Sequence, residues 1–288
     1  MRSFVLAFFS TMLIVTASPA AGRPAGETVW IPMQASGSGD RDRVRLEATL
    51  YLPEGAGPFP VVVFNHGSTG PGVIPVEQTE SPWGFAEYLN QKGIALIAPM
   101  RRGRGRSDGR YREGYRCSLK SVRKGVEYAD ASVAATFDYL DTVAWADRRR
   151  VMLAGFSRGG ILSVAHAARH PGRVVGVINF SGGWVGDGCK ARTRKDANAV
   201  LLGEAGGRSG APQLFLYGAN DHYYSDASVK AAVEAFEAQG GDVEFALIEL
   251  APDVDGHRLF FDYWPLWMPY TDAFLDRTGM VSPVAGGG

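Results

Sequence analysis

The stretch that most restricts the fold of this chain is Val151-Met152-Leu153-Ala154-Gly155-Phe156-Ser157-Arg158-Gly159-Gly160. An apolar, strand-like run enters it, and a helix-compatible run from Ile161 to Arg169 leaves it. A serine flanked by glycines two before and two after it, at a strand-to-helix corner, marks a turn too tight for side chains at those positions. Gly155 and Gly159 relieve the crowding, because glycine tolerates close backbone approach and unusual dihedrals. The serine is thereby pushed out, exposed, as a nucleophile must be. The bland alternative is a structural Gly-rich turn, and the strand–turn–helix setting favours the chemical reading.

The flanking pattern extends this corner into an architecture. Thr28 to Met33 and Val44 to Leu52 read as strands joined by a polar turn at Ser36 to Asp42, as in an antiparallel edge hairpin. Pro60 to Asn65 and Ile94 to Pro99 are continuous apolar runs, suited to doubly buried strands, with a helix at Trp83 to Lys92 between them. A loop from Met100 to Lys124 follows, long enough to suggest a roof over a site. Helical spacing over Val126 to Trp145 leads into the elbow strand and its helix. Strands are expected at Val174 to Phe180, Gln213 to Gly218 and Val243 to Leu250, with helices at Asp226 to Gln239 and Tyr263 to Leu275. Gly182 to Gly210 reads as irregular or partly helical. The alternation predicts an α/β fold: a mostly parallel central sheet, antiparallel N-terminal strands, and helices on both faces.

The N-terminus carries Met1-Arg2, an apolar run from Phe4 to Val15, then Ala17-Ser18-Pro19-Ala20-Ala21-Gly22. This order of charge, short apolar core and small residues predicts a signal peptide cleaved after Ala20 or Ala21. The rival, a membrane anchor, needs about 20 apolar residues. The expected organisation is therefore a signal peptide at 1–21, one α/β domain at 22–281 and a loose tail at 282–288, with a secreted or periplasmic destination and no stable membrane insertion after cleavage. Lys+Arg and Asp+Glu both number 30, so no net field favours nucleic acid. The Arg101-Arg102-Gly103-Arg104-Gly105-Arg106 cluster reads as a solvated loop, or alternatively as a carboxylate-pairing or substrate-anchoring one. Two cysteines, Cys117 and Cys189, predict a disulfide in an exported protein.

Serine is a poor nucleophile until a base removes its proton and a carboxylate orients that base. Of five histidines, His66 precedes the elbow, His166 and His170 lie along the helix after it, and His222 adjoins an acid candidate. His257, in a loop after the last strand, is the expected general base. Asp221, closing a strand in Tyr217-Gly218-Ala219-Asn220-Asp221, is the expected acid; Asp253 and Asp255 are weaker rivals, and Asp226 reads as a helix cap. Two preorganised N–H donors must receive the developing oxyanion. The backbone N–H groups of Arg158 and of Ser68, in Asn65-His66-Gly67-Ser68-Thr69-Gly70, are the candidates, and His66 reads as a structural hydrogen-bonder. No metal-ligand spacing appears, and neither a metal nor another cofactor is expected.

The segments Asn65-His66-Gly67, Arg102-Gly103-x-Gly105-x-Ser107-Asp108-Gly109, Gly155-Phe156-Ser157-Arg158-Gly159-Gly160, Gly218-Ala219-Asn220-Asp221 and Gly256-His257 occur in the order seen in α/β-hydrolases. The chain resembles their dienelactone hydrolase-like, serine esterase branch, which includes acyl esterases, cutinase-like polyesterases and prolyl oligopeptidase-type domains. Dienelactone hydrolase itself has a cysteine where this chain has Ser157, so its lactone activity does not carry over. The resemblance implies a carboxylic ester hydrolase acting on a small-molecule or polymeric ester. A peptidase or amidase and a non-catalytic binding protein are the alternatives. Trp184 resembles the tryptophan that cutinase-like enzymes place beside the acyl pocket, and Tyr223, Tyr224, Trp264 and Trp267 are candidates for an aromatic cleft.

Overall fold

The computed structural model describes residues 26–34, 43–68, 74–114, 116–193 and 195–281. The signal-peptide segment, the Ser36 to Asp42 turn, Thr69 and Gly70, and the 282–288 tail lie outside the described residues.

The described strands are β1 (Glu27–Gln34), β2 (Arg43–Tyr51), β3 (Phe59–Asn65), β4 (Ala95–Pro99), β5 (Ala146–Phe156), β6 (Gly176–Phe180), β7 (Gln213–Gly218) and β8 (Val243–Ile248). They form one sheet in the order β1-β2-β4-β3-β5-β6-β7-β8. β1 pairs antiparallel with β2, and β2 antiparallel with β4; the remaining pairs are parallel. The mixed sheet with an antiparallel N-terminal edge is the one the sequence pattern predicts.

The helices are α1 (Trp83–Asn90), α2 (Leu119–Leu140), α3 (Arg158–Arg169), α4 (Asp187–Thr193), α5 (Ala197–Gly206), α6 (Asp226–Glu237), α7 (Leu259–Asp262) and α8 (Trp264–Arg277). They divide between the two faces, and the central strands show why. Side chains alternate along a strand, so a strand that is apolar throughout feeds two cores. In β5, Val151 and Leu153 join the core built with α2, α3, α5 and α6, while Met152 and Ala154 join the core built with α1, α7 and α8. β3 divides likewise, Val61 and Val63 against Val62 and Phe64.

Several boundaries differ from expectation, most of all that of the long helix before β5. The helix expected over Val126 to Trp145 instead spans Leu119–Leu140, started by Ser118, whose hydroxyl accepts from the Ser121 N–H at 3.3 Å. The charged first turn (Lys120, Arg123, Lys124) hid that start, and the Asp141–Thr142 turn ends the helix early so that β5 can begin at Ala146. β8 stops at Ile248, two residues before Leu250. Ser225, rather than Asp226, caps α6; the Asp226 carboxylate instead accepts from the Asn220 N–H at 3.1 Å.

The expected loop after β4 is real but shorter, and three arginines of its basic cluster are buried while Arg106 stays exposed. Arg101, Arg102 and Arg104 are all buried. Arg101 pairs with the equally buried Glu113 at 2.5 Å, Arg102 and Arg104 lie over the Tyr128 and Tyr111 rings, and Arg106 reaches buried Glu47. A net count of charges says nothing about which guanidinium planes will find carboxylates and aromatic faces. The carboxylate-pairing alternative therefore describes the cluster better than the solvated loop. Cys117 and Cys189 form a disulfide across a separation of 72 residues, joining this loop to α4 and suiting an oxidising compartment. Among the described residues, no helix is long and apolar enough to cross a membrane.

Candidate active site

The parallel register sets β3, β5, β6 and β7 side by side, with Asn65 opposite Gly155, Phe156 opposite Phe180, and Gly218 opposite Ile248. Residues that follow these strands consequently meet along one sheet edge, where open α/β sheets bind ligands. Ser157 sits there at φ 55°, ψ −121°, a left-handed conformation that costs a serine roughly 1–3 kcal/mol. The turn closes only because its neighbours lack side chains. A Cβ on Gly155 would fall 2.2 Å from the Gly159 carbonyl oxygen, and one on Gly159 only 1.8 Å from that of Asn65. The Ser157 N–H donates to the Phe180 carbonyl at 2.9 Å, and the Ser157 carbonyl accepts from Gly160 at 3.0 Å and from Gly183 at 3.2 Å.

The loops after β7 and β8 dock by the same device. A Cβ on Gly218 would lie 2.5 Å from the Gly256 oxygen, and one on Gly256 2.3 Å from the Gly218 oxygen. This contact brings His257, in a short 3-10 turn (Gly256–Arg258), against Asp221. His257 Nδ1 lies 2.7 Å from Asp221 Oδ2, with the Asp221 side chain fully buried. The other carboxylate oxygen accepts from the Tyr223 and Tyr224 N–H groups at 2.8 and 3.2 Å. Asp255 accepts from the His257 N–H and pairs with His222 at 2.5 Å. Burial pushes the Asp255 pKa up, but N–H donation from His257 and His222 outweighs it and leaves the group below its usual range.

The other histidines have separate duties. His166 Nδ1 lies 2.7 Å from Asp130 Oδ1, and His170 Nε2 lies 3.4 Å from the other oxygen. The group is too far along α3 to reach Ser157. Asp130 with His166 and His170, and Asp221 with His222 and Asp255, are donor sets close enough in space to hold a cation. In each set two members are close in sequence (His166 with His170, Asp221 with His222) and the third is brought in by the fold from a distant segment. In the first set the donors already bond one another, and Arg169 stands 3.5 Å from the Asp130 carboxylate.

A cavity of about 470 Å3 opens over the site, lined among others by Ser68, Ser157, Arg158, Trp184, Tyr223, Tyr224 and His257. This volume suits a small organic ligand. Trp184 is almost wholly buried, with the Arg158 guanidinium 5.0 Å from its ring centroid. Tyr223 is 39% exposed at the rim, its ring 4.6 Å from that of His257. Phe156 and Phe261 complete an aromatic wall, their centroids 4.8 Å apart. Trp264 and Trp267 do not line the cavity: Trp264 packs on Trp83, and Trp267 sits in the α1–α8 core against Phe85 and Phe180. Both lie on the helix after the site, where the apolar face turns inward.

Gly67 holds the loop after β3 against the nucleophile corner; a Cβ there would be 3.4 Å from that of Ser157 and 3.0 Å from the Phe156 ring. Tyr224, weighed in sequence only as cleft lining, is buried and donates its hydroxyl to the Gly183 carbonyl at 2.8 Å. Burial raises its phenol far above the ordinary range, so it is a neutral donor. Nothing in the Tyr223-Tyr224 pair distinguishes the inward ring from the outward one before the chain is folded.

A model of the α/β hydrolase fold matches residues 60–188. Together with the sheet order and the glycine-closed corner at Ser157, that match shows the fold. The chain has the α/β-hydrolase fold. Its structure is similar to Est1E from Butyrivibrio proteoclasticus with ferulic acid bound (18% identity, TM-score 0.62, covering 87% of this chain and 98% of the other). It is also similar to the thermophilic esterase Est2 of Thermogutta terrifontis (16%, TM-score 0.62, 92% and 96%). A third similarity is to the Pyrococcus horikoshii acylaminoacyl peptidase (14%, TM-score 0.63, 91% and 43%). No curated protein sequence gives a significant match.

Proposed function

We propose that this protein is an exported serine esterase that cleaves carboxylic esters through an acyl-enzyme. The observation that carries the reading is the 2.7 Å contact between His257 Nδ1 and Asp221 Oδ2 beside a serine held at positive φ in the same cavity wall. The carboxylate can only accept, so Nδ1 carries the proton and Nε2 is the basic nitrogen left for the Ser157 hydroxyl. Ser157 Oγ attacks the ester carbonyl carbon as His257 takes its proton. The imidazolium is stabilised by Asp221, and the oxyanion is received by the N–H groups of Ser68 and Arg158. Collapse expels the alcohol, protonated by His257. A water then attacks the acyl-enzyme by the same route in reverse and releases the acid.

The aromatic wall of Phe156, Trp184, Tyr223 and Phe261 favours an apolar acyl or alcohol group of modest size. The disulfide and the N-terminal apolar segment agree with export. Turnover of p-nitrophenyl esters from acetyl to lauroyl, set beside aminoacyl p-nitroanilides, tests the reading. Ester turnover that vanishes in Ser157→Ala and is blocked by a fluorophosphonate bound at Ser157 is expected. A strong anilide preference would make the protein a peptidase or amidase, and folded protein that takes up no probe would make it a binding protein.

A further inference from the structure

The loop that carries the Ser68 N–H is held from behind by a buried cation. Arg101, the second residue after β4, donates from Nη1 to the His66 carbonyl at 2.7 Å and from Nη2 to the Gly67 carbonyl at 3.2 Å. Its remaining face is committed to Glu113, with Nε and Nη2 at 2.5 and 3.2 Å from the two carboxylate oxygens. Arginine and glutamate side chains are 1% and 2% exposed, so the pair is dry and its geometry is fixed at both ends of the fork.

His66 completes the clamp, and its tautomer follows from its partners. The Arg101 backbone N–H can only donate, so His66 Nε2, 3.2 Å away, is the acceptor. The Gly67 carbonyl can only accept, so His66 Nδ1, 2.8 Å away, carries the proton. Burial first, and the Arg101 charge second, hold His66 well below the ordinary histidine range, which keeps it neutral in this role. The Gly67 carbonyl thus receives two donors, one of them charged, and both of its lone pairs are used.

That carbonyl belongs to the same peptide unit as the Ser68 N–H. We infer that Arg101, with His66, is a positioning residue for ester cleavage: it fixes the plane of the Gly67–Ser68 peptide and polarises it, so that its N–H is a stronger donor to the oxyanion. Hydrogen bonds in series reinforce one another in a low-dielectric site, and pulling electron density onto a carbonyl oxygen leaves the amide proton more positive. The benefit appears only when negative charge develops, so it belongs to the transition state and not to substrate binding. The inference rests on the esterase reading above, in which Ser68 supplies one oxyanion donor.

The test compares wild type, Arg101→Met, Arg101→Lys and His66→Asn. It measures kcat and KM on a p-nitrophenyl ester, normalises the amount of enzyme by fluorophosphonate titration of Ser157, and determines the affinity of an alkyl trifluoromethyl ketone. Loss of one oxyanion donor costs about 100- to 1,000-fold in kcat, so misaligning and depolarising one is expected to cost about 10- to 100-fold. KM should stay within about threefold, ketone affinity should fall in step with kcat/KM, and Arg101→Lys should recover part of the loss. Full kcat per titrated site in Arg101→Met, or a loss confined to KM, would overturn the inference and leave the esterase reading intact. If Arg101→Met does not fold, His66→Asn, which removes the other donor to the same carbonyl, decides by the same criteria. Wild type that neither turns over the ester nor takes up the probe defeats the esterase reading, and the inference falls with it.

Discussion

Removing the Cys117–Cys189 disulfide gives a perturbation whose size can be worked from the structure. The bond closes a loop of 72 residues. In the chain-entropy account a loop of that length removes roughly 15 cal/mol/K from the unfolded ensemble, or about 4 kcal/mol near room temperature. Against the 5–15 kcal/mol that typically holds a domain together, that is a large share. The loss should also be local in its native-state effect. Cys189 lines the cavity from α4, a helix of seven residues, too short to hold itself, and Cys117 lies one residue before the Ser118 cap of α2. Paired Cys117→Ser and Cys189→Ser substitutions should therefore lower the urea-unfolding free energy by about 2–4 kcal/mol and raise KM more than they lower kcat. Dithiothreitol should do the same to the wild type and nothing further to the variant. A stability change below about 1 kcal/mol, with the bond shown intact in the starting protein by mass spectrometry, would refute the claim that this staple constrains the unfolded chain.

Other outcomes follow from single contacts. Asp221→Asn should leave the fold in place yet cut kcat by about 10,000-fold on the ester assay, because an amide no longer dictates the His257 tautomer. Gly159→Ala should yield little folded protein, since its methyl would sit 1.8 Å from a backbone oxygen; a melting temperature equal to wild type would show that the corner can open. His66 and His166 are both held neutral, chiefly by burial, and both would take protons on unfolding near pH 6.5. The unfolded chain then binds more protons than the native one, so urea-unfolding free energy should be level above about pH 7 and fall as pH drops below about 6.5. A flat profile from pH 7.5 to 5 would contradict this.

What sequence alone determined is the part governed by local chemistry and period. Continuous apolar runs announced buried strands, the glycines around Ser157 announced a corner that tolerates no Cβ, and the positions of Asp221 and His257 after strands announced which edge they would share. Even cysteine count sufficed for the disulfide, because only one pairing existed. Tertiary structure decided everything that depends on long-range register. Arg101, His66 and Glu113 form one clamp only because β3 and β4 lie side by side and the roof loop folds back over them. In sequence those residues are a basic run, a turn histidine and a loop acid. Tyr224 is buried with its hydroxyl on the Gly183 carbonyl while Tyr223 stays exposed at the rim, and Trp267 belongs to the core because α8 packs on α1. Burial and partner choice are properties of surfaces brought together in folding, and no local pattern encodes which two surfaces will meet.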